Sequence, residues 1–158
     1  MRFLILAVLI LGGGLYTDAQ TTISPAMVEG TGGTARAKGQ VLVQNGSIKP
    51  SVILIEVHGL VVDSTGRPRF IPLPSNISID VSETSFRLGA KQSKYVNYTV
   101  DGHGQVAYGV IDIITVVGST DKGIQIRIDQ PSSFYVCPKG TKGSCRDYVR
   151  KNVFHLDK

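Results

Sequence analysis

Between residues 124 and 129 a branched apolar residue and a polar one alternate three times, Ile-Gln-Ile-Arg-Ile-Asp. Successive side chains of an extended chain point to opposite faces, so this order puts Ile124, Ile126 and Ile128 on one face and Gln125, Arg127 and Asp129 on the other. A helix, with its period of 3.6, would scatter the three isoleucines. The same extended reading recurs upstream. Segments 40–44, 51–62, 77–81, 95–100 and 108–117 are runs rich in Val, Ile, Leu and Tyr, with hardly any helical period anywhere between them.

Turn residues punctuate the runs. Gly30-Thr31-Gly32-Gly33, Asn45-Gly46, Asp63-Ser64-Thr65-Gly66 and a glycine-bounded hairpin over 118–123 each end one strand and start another. Segment 21–28 is a first strand interrupted by Pro25, which cannot donate to a ladder and so suits an edge that bulges or changes sheet. Segment 67–75 carries three prolines and reads as a sheet-edge crossing. Segment 134–137 extends the isoleucine strand. The pattern implies an all-β fold, an immunoglobulin-like seven-stranded β-sandwich with a short C-terminal tail helix. Antibody domains carry a Cys-Trp-Cys core; this chain has no tryptophan, and its two cysteines lie beyond the last core strand.

The chain opens as an export signal would. Arg2 gives a positive start, residues 3–11 form an apolar stretch too short to span a bilayer, and Thr17-Asp18-Ala19 offers a small-residue cleavage site before Gln20. Taking 19 residues from 158 leaves 139, which suits one domain with a real core. The expected division is a signal peptide at 1–19, a sandwich domain at 20–138, and a disulfide loop with a basic tail at 139–158. The mature chain is expected in the periplasm or outside the cell, with no transmembrane segment after cleavage. Its net charge of +5 favours acidic surfaces, yet Lys and Arg are not clustered among aromatics, so nucleic acid is not expected as a partner.

Cys137 and Cys145 enclose Pro-Lys-Gly-Thr-Lys-Gly-Ser. In an exported protein an even pair at this spacing predicts a disulfide around a basic hairpin loop. A metal site would need more ligands, and His58, His103 and His155 show no metal-binding spacing. In the tail, Tyr148, Val149, Val153 and Leu156 share a helical stripe with Arg150, Lys151 and Asn152 opposite. That helix is expected to pack over the sandwich end.

Three stretches carry a family likeness. Ile23-Ser24-Pro25-Ala26-Met27-Val28, then residues 86–96 (Phe-Arg-Leu-Gly-Ala-Lys-Gln-Ser-Lys-Tyr-Val), then 124–128 followed by Phe134-Tyr135 and Pro138, resemble in order the amino-terminal domain of the periplasmic pilus-assembly chaperones of the chaperone/usher type. The resemblance covers about residues 21 to 138. It implies binding of a pilin-like exported subunit by strand donation, with Ile124, Ile126 and Ile128 filling the client's groove in a register set by their spacing. It also implies two client-contact positions, held in the family by a basic pair and here by Met27 and Ser133, neither of which can bind a carboxylate by charge. The residues themselves leave a second arrangement open, in which the isoleucines pack inward as alternating sandwich strands commonly do, and the chain is a secreted structural or adhesive module.

No catalytic constellation is expected. Asp112 lies in the apolar run Val110-Ile111-Asp112-Ile113-Ile114, where solvent exposure or a structural salt bridge is the expected state. Glu56 and His58, two apart, share a strand face and can pair. The Asp101-Gly102-His103-Gly104 segment reads as a loop, and neither a G-x-S-x-G nor a phosphate-binding glycine motif occurs. No cofactor is implied. Asn45, Asn76 and Asn97 each open an N-x-S/T triplet, an acceptor only in a eukaryotic secretory route.

Overall fold

The computed structural model describes residues 21–25, 27–32, 35–119 and 124–156, with the backbone alone at residues 28, 30–32, 117–119, 124 and 125. The proposed signal at 1–19 and the tip of the hairpin at 120–123 lie outside these residues. Among them ten strand segments and one helix follow in order: β1 (Thr21–Ser24), β2 (Met27–Gly32), β3 (Arg36–Asn45), β4 (Ser51–Val62), β5 (Pro68–Ile71), β6 (Ser78–Val81), β7 (Ser85–Leu88), β8 (Ser93–Asp101), β9 (Ala107–Ser119), β10 (Ile124–Pro138) and α1 (Cys145–Asn152).

Two sheets face each other. One runs β1-β3-β8-β6, the other β2-β10-β9-β4-β5 with β7 beside β4. Two strands of an immunoglobulin-like sandwich are thus each divided between the sheets. The first leaves β3 and joins β10 at the cis Ser24–Pro25 bond, so of the bulge or change of sheet expected at Pro25 the chain makes the change of sheet. The second begins as β6 on β8 and ends as β7 on β4. The proline-rich segment differs from expectation. Pro68–Ile71 pairs with Gly59–Val62 as an edge strand, where a missing N–H can face solvent without breaking a ladder.

Alternation accounts for the core. Val41 and Val43 of β3 and Val96, Tyr98 and Val100 of β8 point inward between exposed Gln40, Gln44 and Asn97. They meet Ile53 and Ile55 of β4, Ile111 and Ile113 of β9, and Phe134 and Val136 of β10. Gly109 stands opposite Phe134, and a Cβ there would come within 2.7 Å of its ring; only glycine leaves the ring its place. Central β9 is buried on both faces along residues 110–115, as a strand flanked by two long neighbours must be.

Asn45 is structural. It is buried, its amide nitrogen donates to the carbonyls of Lys49 (2.8 Å), Gly89 (3.0 Å) and Leu88 (3.2 Å), and its oxygen accepts from the Ser47 N–H. An amide committed to three carbonyls is no acceptor for a glycan in the folded chain, whereas Asn76 and Asn97 are exposed.

Beyond β10 the chain folds back on the outer face of its own sheet. Cys137 and Cys145 are disulfide-bonded, and with Tyr135 and Val149 they form a second buried cluster, flanked by Tyr108, Val153 and Phe154. Ser144 caps α1 by accepting from the Asp147 N–H, and Glu29 of β2 accepts from the Arg146 N–H. The expected stripe needs correction. Cys145 and Val149, one turn apart, face the sheet; Tyr148 is exposed, and the helix ends at Asn152, before Val153 and Leu156. The disulfide fixes which side of the helix turns inward. Removing it by a Cys137→Ala, Cys145→Ala double substitution should cost about 2–3 kcal/mol in chemical denaturation, through the closed loop, and the native protein should show no free thiol to a labelling reagent under denaturing conditions.

Candidate functional site

The candidate site lies on β10, because that strand is longer than what pairs with it. β9 runs antiparallel to it from Ser119 opposite Ile124 to Ala107 opposite Val136. On its other side β2 runs parallel, but only along Ser133–Pro138. Among the described residues, 124–132 therefore have a ladder on one side and a free edge on the other. β2 does not cover them, since Thr21–Ser24, the strand before it, pairs with β3 in the other sheet. Side chains of β10 fasten that crossing: Gln130 Nε2 donates to the Thr21 carbonyl (2.6 Å), and Ser132 Oγ donates to the Pro25 carbonyl (2.9 Å).

Even-numbered residues of β10 share one face. At its far end that face supplies Phe134 and Val136 to the core, and in the middle Gln130 and Ser132 close it off. Past that closure Ile126 is 55% exposed and Ile128 half-buried. Ile126 and Ile128 thus face the core side of the sheet, yet among the described residues the sandwich does not extend over Ile126. Inward packing holds for Phe134 and not for Ile126. The side chain of Ile124 lies outside the described residues. Two buried oxygens on this inner face, Thr115 Oγ1 opposite Ile128 and Gln130 Oε1, have no hydrogen-bond partner among the described residues.

Met27 and Ser133 stand directly opposite each other in the β2–β10 ladder. They lie on the outer face, away from Ile126. Met27 is exposed and Ser133 half-buried, and both are uncharged.

The outer face also holds a cluster of charge. Arg127 Nε donates to Asp129 Oδ1 at 2.8 Å, and its Nη2 lies 3.5 Å from Glu56 Oε2 on β4. His58 Nε2 lies 3.3 Å from the same Glu56 oxygen, so the expected Glu56–His58 pairing forms, and its ring stacks on Phe70 at 5.5 Å. Sequence reading missed Arg127 because it followed the apolar face of its segment; the odd-numbered charges of that segment were the available signal. His103 sits in a turn, its N–H donating to Asp101 Oδ1.

Asp112 departs from expectation. It is neither solvent-facing nor hydrogen-bonded at Oδ1, being 2% exposed between Glu56 of β4 and Pro131 of β10. Burial raises its pKa above the ordinary carboxylate value, and the charge of Asp129 raises it further. The folded chain therefore holds this proton to higher pH than the unfolded chain. Below the unfolded value of about 3.9 both states are protonated and nothing is lost; the cost grows as pH rises and is complete once the folded group ionises. Asp112→Asn should accordingly raise the melting temperature at neutral pH, by roughly 3–5 °C for about 1 kcal/mol, and the gain should vanish in scans near pH 3–4.

No protein-family model and no curated protein matches the chain by sequence. Solved structures do. The fold is PapD-like. A structure of the Salmonella enterica SafA pilin in complex with the SafB chaperone aligns with a TM-score of 0.57 at 17% identity, over 84% of this chain and 61% of that one. The E. coli chaperone DraB gives 0.55 at 17% identity, over 78% and 58%. A PapD-like domain of human CEP192 gives 0.52 at 10% identity, over 87% and 99%. This chain therefore has the fold of the amino-terminal domain of the fimbrial chaperones and spans somewhat over half the length of those bacterial chains. Among the described residues no helix is long and apolar enough to cross a membrane.

Proposed function

We propose that the chain is a non-catalytic, chaperone-like binding protein of the periplasm or cell exterior, which holds a pilin-like or other exported β-subunit by lending it the free half of β10. The observation that carries this reading is the one-sided ladder at residues 124–132 with Ile126 exposed on the core-side face. A strand edge with unpaired N–H and C=O groups is a template for another chain's strand. Backbone pairing supplies affinity, and the alternating isoleucines fix register, because a slip of one residue turns every side chain to the wrong face. The similar SafB chaperone was solved in complex with a pilin, which supports the class of client.

The contact is one of backbone and apolar side chains. Met27 and Ser133 sit together beside the free edge without a positive charge between them, so the client's end is not held there by an ion pair. The same neutrality favours a second reading, a secreted immunoglobulin-like module with an adhesive role and no folding role. A β-sandwich subunit lacking its last strand separates the two.

Ile126→Asp is the deciding variant. Ile126 is already more than half exposed, so the isolated variant should melt within about 2 °C of the parent, while capture of the strand-deficient subunit in a refolding and co-purification assay should fall at least roughly tenfold, as a carboxylate enters an apolar groove. Undiminished capture would refute strand lending. A drop of several kcal/mol in stability would do so too, by showing that the row belongs to this chain's own core.

A further inference from the structure

A strand with one neighbour and no cover frays, and a frayed strand must be ordered before a partner can pair with it. Among the described residues, 124–129 are in that position: β2 does not reach them, and Ile126 is more than half exposed. Their order has to come from the ladder with β9 and from the outer face. On the outer face the geometry is specific. Glu56 belongs to β4, which is not a neighbour of β10; β9 runs between them, with Arg127 opposite Val116 and Glu56 opposite Asp112. The Arg127 guanidinium therefore reaches across the whole width of β9 to Glu56 while its Nε holds Asp129 on its own strand. Among the described residues this is the ion pair that ties residues 124–129 to another strand.

The surroundings suit one planar cation. Glu56, Asp129 and the buried Asp112 lie around Arg127, with His58 beyond Glu56. A guanidinium presents donors in a fixed fork and can engage carboxylates on two sides at once; an ammonium offers a single point of charge. We propose that Arg127 is a positioning residue for the strand-lending edge: bridging Glu56 and Asp129 across β9, it holds the free half of β10 extended so that a client strand meets a preformed ladder. The inference rests on the strand-lending reading and adds a residue that acts on the opposite face from the isoleucines.

The test uses the whole chain, first without a client. Native-state hydrogen exchange and thermal melting are compared for Arg127→Gln, Glu56→Gln, the double variant and Arg127→Lys. Each Gln variant should speed exchange at residues 124–129 roughly three- to tenfold, while exchange in β3 and β8 and the melting temperature stay close to the parent. The double variant should be no faster than either single one, because both remove the same bridge, and Arg127→Lys should restore only part of the protection. Affinity for the strand-deficient subunit should weaken by a similar factor. Unchanged exchange at 124–129, equal acceleration throughout the domain, or additive effects in the double variant would each overturn the proposal. Because the exchange is read without a client, a failed bridge is distinguishable from a failed strand-lending reading, which Ile126→Asp tests by capture.

Discussion

The parallel pairing of β2 with β10 begins at Met27 opposite Ser133, and the surface of the molecule is organised around that starting point. Had the first strand continued along the same sheet, β10 would be an interior strand with both edges paired. The chain instead spends residues 21–24 on β3, crosses at Pro25, and reaches β10 only for its second half. Proline suits the crossing because it has no N–H to contribute to either ladder. Gln130 and Ser132 hold the crossing from the other side with hydrogen bonds to two backbone carbonyls. The same contacts that finish the core thereby leave the first half of β10 with one paired edge among the described residues.

An open edge is a hazard as well as an opportunity, and its composition bears on both. Edge strands avoid indiscriminate pairing by carrying charge and proline, and β10 carries Arg127, Asp129 and Pro131 within its uncovered stretch. Pro131 sits where the strand has one neighbour only, so its missing N–H interrupts no second ladder. The apolar contribution is concentrated on the alternate face at Ile126 and Ile128. Specificity in such an arrangement comes from matching that face in register, while the charged face stays bound to its own sheet.

Much of this was legible in the sequence, for a physical reason. Strands with one wet face must alternate, so β3, β8 and the start of β10 announced themselves, and β9, buried on both faces, appeared as an unbroken apolar run. Pro25 marked the crossing because proline has so few places in a sheet. What stayed hidden depended on partners distant in the chain. Nothing local shows that Pro68–Ile71 finds an edge on β4, that Asp112 is sealed beneath its neighbours, or that Arg127 meets Glu56 from 71 positions away across an intervening strand. The tail helix was visible from its period, yet its orientation was set by the disulfide, and that turned Tyr148 outward.

The isoleucine row shows why period alone could not decide between packing and lending. Alternation fixes which side chains share a face, and Ile126, Ile128, Phe134 and Val136 do share one. Whether a face is covered depends on where the opposing layer ends, which is a property of the other sheet and of the crossing strand. Along a single β10 face the environment passes from fully buried at Phe134, through hydrogen-bonded polar groups at Ser132 and Gln130, to solvent at Ile126. The polar pair marks the boundary in sequence as well, since Gln130 and Ser132 break an otherwise apolar row at the position where the core stops. An apolar row that resumes beyond such a break lies, among the described residues, past the point where this chain's own core stops.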